Sequence, residues 1–270
     1  MVPDEAPAEI RVAVESFRRA VAADPRVAAA FIGGSYATSS WDEYSDLDLY
    51  VIADDPHYLG VFADRLSFLE AMGTIVLAED FDGFGFDMVV FMLAAGIEGE
   101  LGLARRSSFA HIHGGAYSVL EDPDRLLDGV TFPLRCPTPE QRSRSLERTL
   151  AWFWRQLSLF ATAMARGRAW SAFGYLEQAR REALDLVWWM DAPDSWPGGY
   201  EKLEVYPGIE RLEHIAATLC GLDLADQRAA AETLAEFTAH HGRSACAAAG
   251  CRYPDLLEAT VRTRLGGFWP

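Results

Sequence analysis

Three groups of residues in this chain could do chemistry together. Gly33, Gly34 and Ser35 follow a short apolar run, Asp46 and Asp48 are separated by one residue, and Asp87 interrupts the apolar stretch GFDMVVFML. Glycines let a backbone approach an anion closely, amides at a helix start carry partial positive charge, and a serine hydroxyl adds a donor. Gly34 and Ser35 therefore form a candidate seat for a triphosphate; the alternative is a plain turn between a strand and a helix. The segment is not a Walker loop, because no GKS or GKT follows, and it lacks the further glycines of a dinucleotide fingerprint. In a strand, residues two apart project from the same face, so Asp46 and Asp48 point together while Leu47 and Leu49 face the core. Like charges so close are unfavourable without a cation between them. Magnesium suits the pair, since it takes oxygen ligands and is commonly held by one or two carboxylates plus substrate phosphates. Asp87 is the candidate third carboxylate, because an acid in an apolar strand is costly unless it faces a site or a partner. Its alternatives are an exposed edge position or a salt bridge to an arginine.

The elements that must hold these groups are read from periodicity. Apolar residues recur at helical spacing from Ala8 to Ala23, and Val27 to Ile32 is a β-rich run stopped by glycines. Leu47 to Ile52 reads as a second strand, and Pro56 opens a helix expected to run to about Met72. Thr74 to Leu77 and Phe86 to Met92 are further strand candidates, the pattern turns helical from Gly96 to Arg106, and Tyr117 to Leu120 is a last strand. RCPTP at Arg135 to Pro139 breaks every period and reads as a linker. Beyond it only helical spacing is found: Ser143 to Arg166, Trp170 to Met190, Gly208 to Cys220, Ala225 to His241 and Pro254 to Leu265. The chain thus reads as a mixed α/β (α+β) domain at residues 1–135 and an all-helical domain at residues 138–270.

Composition narrows the function. The 270 residues are 50% hydrophobic and 24% charged, ordinary for a globular chain with a real core. A formal charge of -16 argues against nucleic acid as a partner, since that normally requires a basic surface, and favours a small-molecule substrate. Cys136, Cys220, Cys246 and Cys251 form no CxxC pair and the acidic start lacks a secretory apolar segment, so a cytoplasmic protein with reduced thiols is expected. The longest apolar run, Met88 to Ile97, is far below the roughly 20 residues of a membrane helix. Lys202, the single lysine, lies in the glycine-bearing loop WPGGYEK and is a candidate point-charge contact to phosphate. His111 and His113 alternate, which permits a metal pair but lacks a Cys or acidic partner at ligand spacing, so ordinary surface or core histidines are the simpler reading. Glu98 and Glu100 could contact a cationic acceptor.

The GGS segment, Asp46-x-Asp48 on a strand and an acid on a later strand together resemble the polymerase-beta-type nucleotidyltransferase superfamily, including the preceding Ser45. VAAAFIGGSYATSSWDEYSDLDLYVIADD is similar to the first strand, loop and second strand of the lincosamide and aminoglycoside nucleotidyltransferases, and FDMVVF to their third acidic strand. RGRAWSAFGYLEQARREALDLVWWM and SWPGGYEKLE look like their C-terminal substrate-side domain. The resemblance implies a nucleotidyltransferase fold, a small mixed sheet flanked by helices, followed by an all-α helical bundle. It implies that Gly34 and Ser35 hold the outer phosphates, that Asp46 and Asp48 bind magnesium, with two ions in the site, and that Asp87 is a third ligand or the general base. The implied reaction is transfer of a nucleoside monophosphate, AMP from ATP or from another triphosphate its counterpart, to a hydroxyl of a small molecule such as a lincosamide or aminoglycoside, by a homodimer. Two alternatives stand beside it: a nucleotidyltransferase that modifies a protein partner, as in toxin-antitoxin pairs, and a non-catalytic nucleotide-binding scaffold.

Overall fold

The computed structural model describes residues 6–83, 85–134, 136–192, 199–200, 203 and 209–268. The chain divides into two compact units, Met1–Arg135 and Cys136–Pro270.

In the first unit, helix α1 (Ala8–Ala23) buries Ala13, Val14, Phe17 and Val21, the stripe its apolar spacing dictates. Strand β1 (Val27–Ile32) is buried at all six positions. A five-residue helix, α2 (Gly34–Thr38), leads to β2 (Leu47–Ala53). The helix expected from Pro56 to Met72 is broken into a 3-10 turn (Asp55–His57), α3 (Tyr58–Ala63) and α4 (Arg65–Glu70). Asp64 leaves the helical range at the break, with φ -94° and ψ 5°, and Arg26 grips its carboxylate at 2.8 Å. Strands β3 (Ile75–Phe81), β4 (Asp87–Leu93), β5 (Glu98–Arg105) and β6 (Ser118–Glu121) complete a six-stranded sheet of order β3-β4-β5-β2-β1-β6. Strands β2 and β5 are parallel, and the other neighbours are antiparallel.

Strand β5 corrects the expectation of a helix from Gly96 to Arg106. Its two glycines serve close strand approach: a Cβ at Gly99 would overlap the Leu47 carbonyl oxygen, and one at Gly102 would lie 2.7 Å from the Tyr50 ring. The sheet has two distinct faces. Leu47, Leu49, Val51, Val89, Phe91, Leu101 and Leu103 share one hydrophobic cluster with α1, α3 and α4. Phe31, Ile52 and Ala104 face the other way, into a smaller cluster with Ile112, Leu127 and Phe132, against which Tyr50 packs. Asp48, Tyr50 and Ile52 belong to this second face by strand alternation.

The described elements of the second unit are all helices: α5 (Pro139–Ala165), α6 (Ala169–Asp191), α7 (Ile209–Ala216), α8 (Leu224–Ala249) and α9 (Asp255–Phe268). The end of RCPTP initiates α5. Thr138 accepts from the Gln141 amide at 3.2 Å, Gln141 returns a bond to the Thr138 amide at 2.8 Å, and Pro139 takes the first turn. The bundle core includes Phe153, Trp154, Phe160, Leu176 and Leu234, and Trp154 Nε1 donates to the Tyr253 hydroxyl at 3.0 Å. A mixed sheet with helices followed by a helical bundle is the architecture the sequence implies. Among the described residues no helix is long and apolar enough to cross a membrane.

Candidate active site

Strand β1 ends at Ile32, and the Gly33 amide donates to the Asp48 carbonyl at 2.8 Å, so the glycine turn is tied to β2 at the aspartate itself. Gly34 has φ +57°, and a Cβ there would overlap Asp48 Oδ2 and stand 3.0 Å from its Cγ. This position must be glycine for two reasons: the left-handed backbone and the carboxylate pressed against it. The Ser35 hydroxyl is buried and has no hydrogen-bond partner among the described residues. A buried hydroxyl without a partner is costly, and one beside a glycine cradle is suited to an incoming oxygen-rich group.

The loop between α2 and β2 is held by local bonds. Trp41 stacks on Tyr36 at 6.1 Å between ring centroids. Asp42 Oδ1 accepts from the Tyr44 amide at 3.0 Å and from the Ser45 hydroxyl at 3.0 Å, a tight Asx turn that delivers Asp46 to the start of β2. Asp46 is exposed and Asp48 half-buried, while Leu47 and Leu49 are fully buried behind them.

The parallel register of β2 and β5 sets Asp48 directly opposite Glu100. Glu100 is half-buried, and its pKa is raised, first by burial and then by the charge of Asp46. Asp46 therefore acts on Glu100, and Asp48 shares a face with Glu100 at this end of the sheet. Among the described residues no group of three or more His, Cys, Asp or Glu side chains is arranged to hold a metal ion unaided. The donors are all carboxylate oxygens, a hard set matched to magnesium, which completes its shell with water and substrate phosphates.

Asp87 is not brought to this group. It pairs with Leu103 on β5, whereas the row of Asp48 and Glu100 meets β4 at Val90. Asp87 is thus three residues, roughly 10 Å, farther along the sheet, and on the opposite face by alternation. There it accepts a hydrogen bond from the Tyr58 hydroxyl and lines a separate open cavity of about 470 Å³ with Phe86, Arg105 and His111. The acid that the fold sets beside Asp48 is Glu100, where reading the sequence placed Asp87. The available signal was the strand-like alternation within EGELGLAR, obscured by its two glycines and two glutamates. Lys202 lies outside the described residues.

His111 and His113 do not form a metal pair. His111 ends a 3-10 turn (Phe109–His111), whereas His113 sits among Phe31, Tyr50 and Phe132, with centroid distances of 5.5, 5.0 and 5.4 Å. Its ring lies against the cradle: a Cβ at Gly33 would be 2.5 Å from His113 Cε1. Sequence periodicity carried no sign of this contact, which joins a loop after β5 to the turn after β1.

Residues 14–95, which include the cradle and the aspartate pair, match the family model of the nucleotidyltransferase domain. That segment is a nucleotidyltransferase domain, and the chain is an enzyme of the nucleotidyltransferase class. Among solved structures, it is similar to an aminoglycoside 6-adenyltransferase from Bacillus subtilis, with 15% identity over 97% of this chain and 99% of that one and a TM-score of 0.47. It is also similar to a nucleotidyltransferase-like protein from Exiguobacterium sibiricum, with 12% identity over 87% of this chain and 78% of that one and a TM-score of 0.44. A cytoplasmic RNA terminal U-transferase is similar at 14% identity over 88% of this chain and 67% of that one, with a TM-score of 0.30. A comparison with curated protein sequences finds no match.

Proposed function

We propose that the protein is a magnesium-dependent nucleotidyltransferase that moves AMP from ATP to a hydroxyl of a small molecule, a lincosamide or aminoglycoside antibiotic being the acceptor class to test first. The observation that carries this reading is the Asp48 carboxylate packed against Gly34 of the cradle, with Glu100 directly across the strand pair. In this reading residues 1–135 form the catalytic unit and residues 138–270 the substrate-side unit.

The Gly34 amide and the Ser35 hydroxyl hold the outer phosphates of the nucleotide. Asp46 and Asp48 would hold magnesium together with those phosphates, and the bound metal supplies charge neutralisation and orientation at the transferring phosphoryl group. The acceptor hydroxyl attacks the α-phosphorus in line, so a P–O bond to the acceptor forms as the P–O bond to the β-phosphate breaks and pyrophosphate leaves. Glu100 receives the hydroxyl proton. Burial and the nearby Asp46 raise its pKa, which makes it a stronger base than an ordinary carboxylate.

The test is pyrophosphate release with ATP, magnesium and a panel of lincosamides and aminoglycosides, for the wild type and Asp46→Asn. The variant is expected to lose at least about 100-fold in rate. Undiminished release by Asp46→Asn would refute the mechanism. Incorporation of label from ATP into a protein rather than a small molecule would move the acceptor to another class.

A further inference from the structure

His113 is not needed by the mechanism above, yet the fold brings it to the cradle. Its Nε2 lies 2.9 Å from the Ala116 carbonyl oxygen. A carbonyl can only accept, so Nε2 carries the hydrogen and Nδ1 of the neutral ring is a bare lone pair. The Cε1 end of the ring faces Gly33, with Cε1, Nδ1 and Nε2 at 2.5, 3.1 and 3.2 Å from where a Cβ would stand. Nδ1 has no hydrogen-bond partner among the described residues. The surrounding groups are aromatic: Phe31 from β1, Tyr50 from β2 and Phe132 pack on the ring, and Tyr117 packs on Phe31 and Phe132. Tyr50 and Tyr117 are the titratable residues of this shell, and Asp48 lies one residue along the cradle, against Gly34. Burial pushes the imidazole below its ordinary pKa, which favours the neutral ring before a ligand arrives.

We propose that His113 is a phosphate-contacting residue of the nucleotide seat: on binding of a nucleoside triphosphate it takes one proton from solvent at Nδ1 and donates that N–H to an outer phosphate oxygen, giving the proton back when pyrophosphate leaves. The inference rests on the reading of the cradle as a triphosphate seat. No bond between heavy atoms changes at His113; an Nδ1–H bond forms with one proton from water on binding and breaks on release, the proton returning to water. An imidazolium is favoured only where an anion faces it, and the aromatic shell supplies none, so the phosphate itself drives the protonation.

Linkage sets the sign. The group's pKa is raised by the bound phosphate, so the gain in affinity is fully present below the pKa of the free protein and is lost as pH rises through the pKa of the complex. The experiment is calorimetric titration of the full chain with magnesium-ATP between about pH 6.5 and about pH 8.5, in two buffers of different ionisation enthalpy, for wild type, His113→Phe and His113→Gln. Wild type is expected to take up a fraction of a proton per ATP near neutrality and to lose roughly tenfold in affinity over that range. Both variants should bind more weakly at the acid end, with no proton uptake beyond that of ATP itself and a flat profile. His113→Phe keeps a ring in the aromatic shell, so a folded protein without the proton signal separates contact from packing. Proton uptake and pH dependence unchanged in both variants would overturn the proposal while leaving nucleotidyl transfer intact. Binding without turnover, together with loss of uptake in the variants, would support the phosphate contact and count against the catalytic reading. Failure of the wild type to bind magnesium-ATP would overturn both.

Discussion

Gly34→Ala tests the idea that one glycine couples the phosphate seat to the acids. The backbone at position 34 has φ +57°, which costs a non-glycine residue roughly 1–2 kcal/mol. Alanine also restricts the unfolded chain, which returns about 0.4–1 kcal/mol. The new Cβ overlaps Asp48 Oδ2, the far end of a side chain, so the carboxylate can turn away rather than push the strand. Net destabilisation is then about 1 kcal/mol, or a fall of about 3–5 °C in the melting temperature of a unit of this size. The catalytic consequence is far larger, because Asp48 can no longer stand beside the cradle. A displacement of about 1 Å at a reacting group costs on the order of 100-fold. Circular dichroism melts and pyrophosphate release measured on the same preparation separate the two effects. A well-folded Gly34→Ala with activity within about threefold of wild type would refute the claim that the contact between Gly34 and Asp48 organises the site.

Further expectations follow from the sheet register and from the raised carboxylates Glu100 and Glu182. Asp87→Asn should leave the rate of pyrophosphate release within a few-fold of wild type, because Asp87 lies on the face opposite Asp48, while weakening the bond from Tyr58 and lowering the melting temperature. Glu100→Gln should lower kcat by about 10²–10⁴. It should also abolish the rise of activity with pH that an ionising base produces, a rise displaced above the ordinary carboxylate range by burial and by Asp46. In the helical unit, burial and the neighbouring Asp185 push Glu182 up to about 7. An acid whose folded pKa is raised stabilises the fold below its unfolded value of 4.5 and loses that contribution as pH climbs through about 7. Glu182→Gln should therefore raise the melting temperature above neutral pH and leave it nearly unchanged in acid.

What could be read from the chain was what depends on neighbours in sequence. The alternation of Asp46 and Asp48 against Leu47 and Leu49 is a property of one strand and survives any topology. The stripe of α1 and the fully apolar β1 are local in the same sense, as is the stop at Gly33 and Gly34. The identity of the third acid is not local. Asp87 and Glu100 both lie on strands near the aspartate pair, and choosing between them requires knowing that β5, not β4, lies beside β2. It also requires the register that puts Glu100 opposite Asp48. Strand β5 itself was masked, since EGELGLAR has no β-branched residue and contains two glycines, whereas its strand character comes from burial between β2 and β4. The division of the stretch after Pro56 into α3 and α4 likewise depends on Arg26, a residue about 40 positions from Asp64 that grips it across the fold.

The register carries more of the site than any single side chain. Strand β2 is central: on one side β1 ends in the cradle, and on the other β5 presents Glu100. Side chains alternate with a period of two, so a one-residue slip of β5 would turn Glu100 into the cluster of Leu49 and Val51 and bring Leu101 out beside Asp48. Two glycines oppose that slip. Gly99 passes against the Leu47 carbonyl where any Cβ would collide, and Gly102 passes beneath the Tyr50 ring. Shifting the strand by one residue would press Glu98 or Glu100 onto Leu47, and Leu101 or Leu103 onto Tyr50. These glycines weaken β5 as an isolated strand and fix it as a paired one. The same features that made β5 hard to recognise in the sequence hold its carboxylate in line with the aspartates.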